Sequence, residues 1–156
     1  MWIYEFSMEC NAEETKIWQV LTDVENWNAW IGNLKSSTIH GNFKDDTLIT
    51  CENINMPKTT LRLKYVVANK SFIVQSKPPF CTMDSIHEIV KENDALKIRI
   101  GVKLYGASSF IFKSIIGKSC AKSLPTAVRK LVVSLQRPQK RYVCFFKDSM
   151  APCYQK

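Results

Sequence analysis

The chain has 156 residues, 46% hydrophobic and 23% charged, ordinary proportions for one globular domain with a substantial core. No stretch approaches the roughly 18 continuous apolar residues of a membrane span, and the opening Met1-Trp2-Ile3-Tyr4-Glu5-Phe6 lacks the basic start and apolar core of a secretory signal, so a cytoplasmic address is expected. The net charge of +8 is uneven: residues 1–30 hold six acids and one base, residues 107–136 five bases and no acid, and residues 137–156 five bases and one acid.

In chain order, Trp2, Tyr4, Phe6, Met8 and Cys10 alternate with Ile3, Glu5, Ser7 and Glu9, the period of a half-buried strand. Asn11 stands where an N-cap belongs, with Glu14 three residues on. Ile17, Val20, Leu21 and Val24 then recur at helical spacing, predicting a short helix over 12–23, and 25–30 reads as a further turn or two. Six strands follow over 34–41, 47–54, 59–68, 71–77, 83–91 and 96–105. A two-residue tip at Asn69-Lys70 would put Leu61, Leu63, Tyr65, Val67, Phe72 and Val74 on one face, with Arg62 and Lys64 on the other. In the last strand Leu96, Ile98, Ile100, Val102 and Leu104 alternate with Lys97, Arg99, Gly101, Lys103 and Tyr105. From Ser108 the period becomes helical, with Phe110, Gly117, Ala121, Leu124, Val128, Val132 and Leu135 on one stripe and Pro125 expected to bend the helix.

Six cysteines are never closer than nine residues, form no Cys-x-x-Cys, and have only His40 and His87 for company. Free, mostly buried thiols are expected, with no metal site and no cofactor.

This order resembles the START-like helix-grip superfamily, also called SRPBCC, and within it the polyketide cyclase/dehydrase and lipid-transport group. The carrying residues are Asn11-Ala12-Glu13-Glu14, then Ile17 to Asp23 with its Leu-x-Asp ending, then Asp23-Val24-Glu25-Asn26-Trp27-Asn28-Ala29-Trp30. Gly41 with Phe43, and Gly106 before the last helix, also match. Asn28, where a proline is common, and Asp46, where a glycine usually ends a turn, depart from the pattern. The resemblance implies an α+β helix-grip fold: a curved antiparallel seven-stranded sheet wrapped around a long C-terminal helix, with two short helices between strands 1 and 2. It covers residues 2–136 or so, leaving 137–156 as a basic, aromatic extension to a domain of residues 1–136.

Such an architecture implies a cavity between sheet and helix. Its expected lining is Leu61, Leu63, Tyr65, Phe72, Val74, Ile98, Ile100 and Val102 from strands, and Phe110, Ser114, Gly117, Ala121 and Leu124 from the helix. Small side chains at 114, 117 and 121 would keep the space open, with Trp27 and Trp30 either at its mouth or serving as core anchors. Which of His87 and Glu88 faces inward depends on the last hairpin: a two- or four-residue loop at Asn93-Asp94 turns His87 in with Ile100, a three-residue loop turns Glu88 in. Outside, Glu5 or Glu9 is expected to meet Lys97, Arg99 or Lys103.

The leading expectation is therefore binding or carriage of a hydrophobic small molecule. A cyclase-, dehydratase- or hydrolase-like enzyme using His87, Glu88 or Tyr65 is the first alternative. The second is an interaction module whose basic helix and tail meet a protein or an anionic membrane; the lack of aromatics interleaved with the bases argues against a nucleic acid. The tail run Tyr142 to Phe146, flanked by Lys140-Arg141 and Lys147, reads as an added strand or lid, or as part of such a contact.

Overall fold

The computed structural model describes residues 1–136. Strand β1 (Trp2–Cys10) leads into helix α1 (Glu14–Thr22) and a 3-10 helix (Val24–Ala29). A meander follows: β2 (Leu34–Ile39), β3 (Leu48–Asn53), β4 (Thr59–Val67), β5 (Ser71–Ser76), β6 (Thr82–Glu92) and β7 (Ala95–Tyr105). Helix α2 (Ser109–Gln136) ends the described residues. The strands form one curled antiparallel sheet in the order β1-β7-β6-β5-β4-β3-β2, so the first strand lies beside the last. This is the helix-grip fold. The extension at residues 137–156, with the strand, lid or contact expected of it, lies outside the described residues.

Alternation in β1 survives in the fold: its odd positions from Ile3 to Glu9 are exposed and its even ones turned inward. The expected cross-strand pair is present, with Glu9 opposite Lys97 and their charged atoms 3.9 Å apart. Lys97 also meets Glu92 at 2.8 Å, and Arg99 meets Glu88 and Glu92 at 3.4 Å each. These exposed pairs support register more than stability. Cys10, Cys51, Cys81 and Cys120 are buried free thiols.

Two local expectations are corrected. Asn11 does not cap α1. Cys10 is still paired with Leu96 in the sheet, so the chain needs Asn11 to Glu13 to turn, and the helix begins at Glu14 with Glu13 as its uncapped N-cap. The β4–β5 hairpin also departs from a plain two-residue turn. Leu63 pairs with Val74, Lys64 with Ile73, but Val67 with Ser71, so one extra residue sits in β4. A carboxylate explains the bulge: Asp45 Oδ1 accepts the Val66 N–H at 2.7 Å, and Tyr65 is forced to φ +50°. Val66 turns inward instead, while Tyr65 and Val67 face solvent. Asp46, standing in the place of a glycine, adopts the left-handed conformation itself at φ +66°.

Helix α2 packs chiefly on β1 and β7. Its C-terminal half buries Ala127, Val128, Leu131, Val132 and Leu135 in the main core. Nearer its start the buried face rotates to Ile116, Cys120 and Leu124, which join Val102, Leu104, Trp2 and Tyr4 in a smaller cluster. The entry to α2 depends on Gly106. Its φ is +114°, and a Cβ there would lie 2.8 Å from the Phe80 carbonyl oxygen and 3.0 Å from the Cys81 Cα. Both obstacles are backbone, so Gly106→Ala should lower stability by more than about 1 kcal/mol in urea unfolding. An unchanged midpoint would mean that the 78–81 loop yields freely.

Candidate functional site

The last hairpin decides what the concave face presents. Glu92 pairs with Ala95, leaving Asn93 and Asp94 as a two-residue turn with both φ values positive, +49° and +64°. His87 therefore stands opposite Ile100 and faces inward, while Glu88 stands opposite Arg99 on the outer face. Continuing the row, His87 pairs with Phe72 on β5 and Ile100 with Phe6 on β1. A single inward line of Phe72, His87, Ile100 and Phe6 thus crosses four strands.

Aromatic side chains from three other elements converge on that line. The His87 ring lies parallel to Phe72, with centroids 4.6 Å apart, and to Trp27 at 6.4 Å. Trp30, at the end of the 3-10 helix, meets His87 edge-on at 6.4 Å. Phe43, from the β2–β3 turn, and Trp18, from α1, meet Phe72 edge-to-face at 5.0 and 5.8 Å. Such arrangements contribute beyond the area they bury. The 3-10 helix is held by its own polar bonds: Trp27 Nε1–H donates to the Leu21 carbonyl oxygen at 2.9 Å, and the Ser37 hydroxyl donates to the Val24 carbonyl.

The polar atoms inside this box are the chemically informative part. His87 Nδ1 lies 3.2 Å from the Ser85 carbonyl oxygen. A carbonyl can only accept, so Nδ1 carries the proton and Nε2 presents a lone pair. Burial lowers the His87 pKa to about 4, against which the Ser85 bond works only weakly. The ring is neutral at pH 7. Trp30 Nε1 is buried with no hydrogen-bond partner among the described residues. Along the same concave face, Met83 and Ser85 remain half-buried.

The other expected lining residues divide sharply. Leu63, Phe72, Val74, Ile98 and Ile100 are buried in the main core with Trp27 and Trp30, and Leu61 packs on it half-buried. Val102 lies in the smaller cluster, against which Leu124 packs. Tyr65 is 72% exposed on the outer side of the bulge, so it, Glu88 and His87 are not brought together. Phe110 is 71% exposed, and Ser114 and Ala121 also face solvent.

The space expected beneath α2 from its small residues is thus not where they lie. Their stripe is buried only beyond Leu124. Nearer the start of α2 it opens outward over Trp2, whose indole comes within 3.3 Å of where a Gly117 Cβ would stand. Trp2, Lys113, Ser114, Gly117, Lys118 and Ala121 form an open surface groove of about 470 Å³. Beneath the helix lie larger buried side chains, Val128, Leu131, Val132 and Leu135 among them. Sequence reasoning missed Trp18, Phe43 and Phe6 as neighbours of the inward line; the alternation of β1 and the Gly-x-Phe turn were the signals for two of them.

No family model and no curated protein sequence matches the chain. Its solved structural neighbours are START-like proteins, at sequence identities that speak to the fold alone. The ZhuI aromatase/cyclase from Streptomyces sp. R1128 superposes with a TM-score of 0.69 at 8% identity, over 87% of this chain and 94% of that one. A START superfamily protein from Mycobacterium smegmatis gives 0.64 at 13% identity, over 86% and 99%. Ara h 8.0201 gives 0.61 at 10% identity, over 86% and 97%. The chain has the fold of these proteins.

Proposed function

We propose that this protein binds an apolar small molecule carrying one hydroxyl or carbonyl oxygen, on the concave face of its sheet beside His87 and Trp30. One observation carries the reading: the buried Trp30 Nε1–H has no partner among the described residues, beside a neutral histidine whose Nδ1 is taken by the Ser85 carbonyl and whose Nε2 presents a lone pair. A buried donor without an acceptor costs about 1–3 kcal/mol, and native structures tolerate few of them. A hydroxyl satisfies both atoms at once, accepting from Trp30 and donating to His87. A carbonyl satisfies Trp30 alone. The surrounding Phe72, Trp27, Ile98 and Ile100 supply apolar contact, worth about 25 cal/mol per Å² buried. Half-buried Met83 and Ser85 mark the side from which the ligand reaches the pair, parting core side chains as it enters. The presence of an aromatase/cyclase among the structural neighbours is compatible with an oxygenated, largely apolar ligand.

Native mass spectrometry after mild purification should find an apolar adduct. In displacement of a fluorescent lipid probe, a long-chain alcohol should outcompete the alkane of equal length, and His87→Phe should shrink that advantage by roughly 2- to 10-fold, the worth of one hydrogen bond. A chain that carries nothing and gives no probe displacement would remove the proposal.

A further inference from the structure

The basic charge and the outward stripe of α2 have no place in that reading, and they lie on one end of the molecule. The Ser108 hydroxyl donates to the Pro79 carbonyl oxygen at 2.7 Å, and Ser108 N–H donates to the Phe80 carbonyl oxygen at 3.2 Å. These bonds tie the β5–β6 loop to the start of α2. The two segments together present Phe80, 85% exposed, Phe110, 71% exposed, and Ile111, 52% exposed. Scattered exposed apolar residues need no explanation, but three large ones on adjoining segments form a patch. Next along the helix Lys113, Lys118 and Lys122 are all exposed, and no acid occurs anywhere in residues 107–136.

We propose that this end of the molecule, the Phe80 loop with the first turns of α2, docks on an anionic lipid surface. Charge selects the occupant. A second copy of the chain would set lysines against lysines. An acidic protein would answer the lysines but leaves the protruding phenylalanines unexplained. A lipid surface takes both: aromatic side chains enter the boundary between headgroups and acyl chains, while lysines stay at the level of the anionic headgroups. No helix among the described residues is long and apolar enough to cross a membrane, so the contact lies on the surface.

The test uses the full chain and sedimentation with two kinds of vesicle: phosphatidylcholine alone, and phosphatidylcholine with about 30% phosphatidylserine. The protein should sediment with the anionic vesicles and bind the neutral ones at least about tenfold more weakly, the difference fading at high salt. Lys113→Glu, Lys118→Glu and Lys122→Glu combined should reduce binding on the order of 100-fold, each lysine near an anionic surface accounting for roughly 5-fold. Phe80→Ser with Phe110→Ser should reduce it about tenfold or more while leaving the urea midpoint unchanged, because both side chains stand in solvent. Absence of vesicle binding overturns the proposal, and so does equal binding to both vesicles. Loss with the lysine variant but not the phenylalanine variant reduces the contact to charge alone and removes the aromatic insertion the proposal requires, and full binding by every variant moves the contact off this face; either result also overturns the proposal. None of these results bears on the ligand beside His87, which is read by mass.

Discussion

Phe72→Ala should destabilise the domain by about 3–5 kcal/mol, the range for deleting a large aromatic side chain from a packed core. Phe72 is wholly buried, and its ring touches three others: His87 at 4.6 Å, Phe43 at 5.0 Å and Trp18 at 5.8 Å between centroids. These partners come from β6, the β2–β3 turn and α1. No single element can move in to refill the space, so the upper part of the range is expected. Tyr65→Ala is the matched control. Plain alternation through a two-residue turn puts Tyr65 and Phe72 on the same inner face, whereas the bulge puts Tyr65 in solvent. Its loss should therefore change stability by no more than about 0.5 kcal/mol. Equal and large losses in the two variants would mean that β4 and β5 pair without the bulge.

That contrast marks where the sequence was legible and where it was not. Strand β1 could be read directly because a half-buried strand beside solvent must alternate, and β7 alternates for the same reason. The inward orientation of His87 followed once the turn length was known, and the Asn-Asp pair that tolerates positive φ is what allows two residues to suffice. The bulge was hidden because its cause is remote: Asp45, 21 residues before Val66, supplies the acceptor that stabilises the extra residue. The helix posed the opposite problem. Phe110, Ser114, Gly117, Ala121, Val128 and Val132 share one stripe by spacing, and spacing says nothing of where the surface beneath a helix ends. Since α2 lies along β1 and β7, its first turns pass over the Trp2 edge, and the same stripe that is core at Val128 is surface at Phe110. Small residues in such a stripe therefore marked a groove outside the domain and not a cavity within it.

Acidification should destabilise the domain through His87 by about 3 kcal/mol, the equivalent of a pKa falling from 6.5 in the unfolded chain to about 4 in the folded one. Above pH 6.5 or so both states hold the ring neutral, and His87 makes stability independent of pH. As pH falls below that value the unfolded chain takes up a proton that the folded one refuses, so stability drops until the folded ring titrates near pH 4, and then levels off. Asp46, Glu52 and Glu92, whose lysine and arginine partners hold their pKa values down, lose stability over a lower range as they protonate. His87→Phe separates the two effects, because it retains those carboxylates and a flat ring against Phe72. The stability difference between variant and wild type should shift by about 3 kcal/mol in the variant's favour between neutral and about pH 4. Parallel curves would mean that the imidazole is not held neutral in the core. A protonated His87 also has no Nε2 lone pair, so an oxygenated ligand that donates to that atom should lose affinity over the same interval.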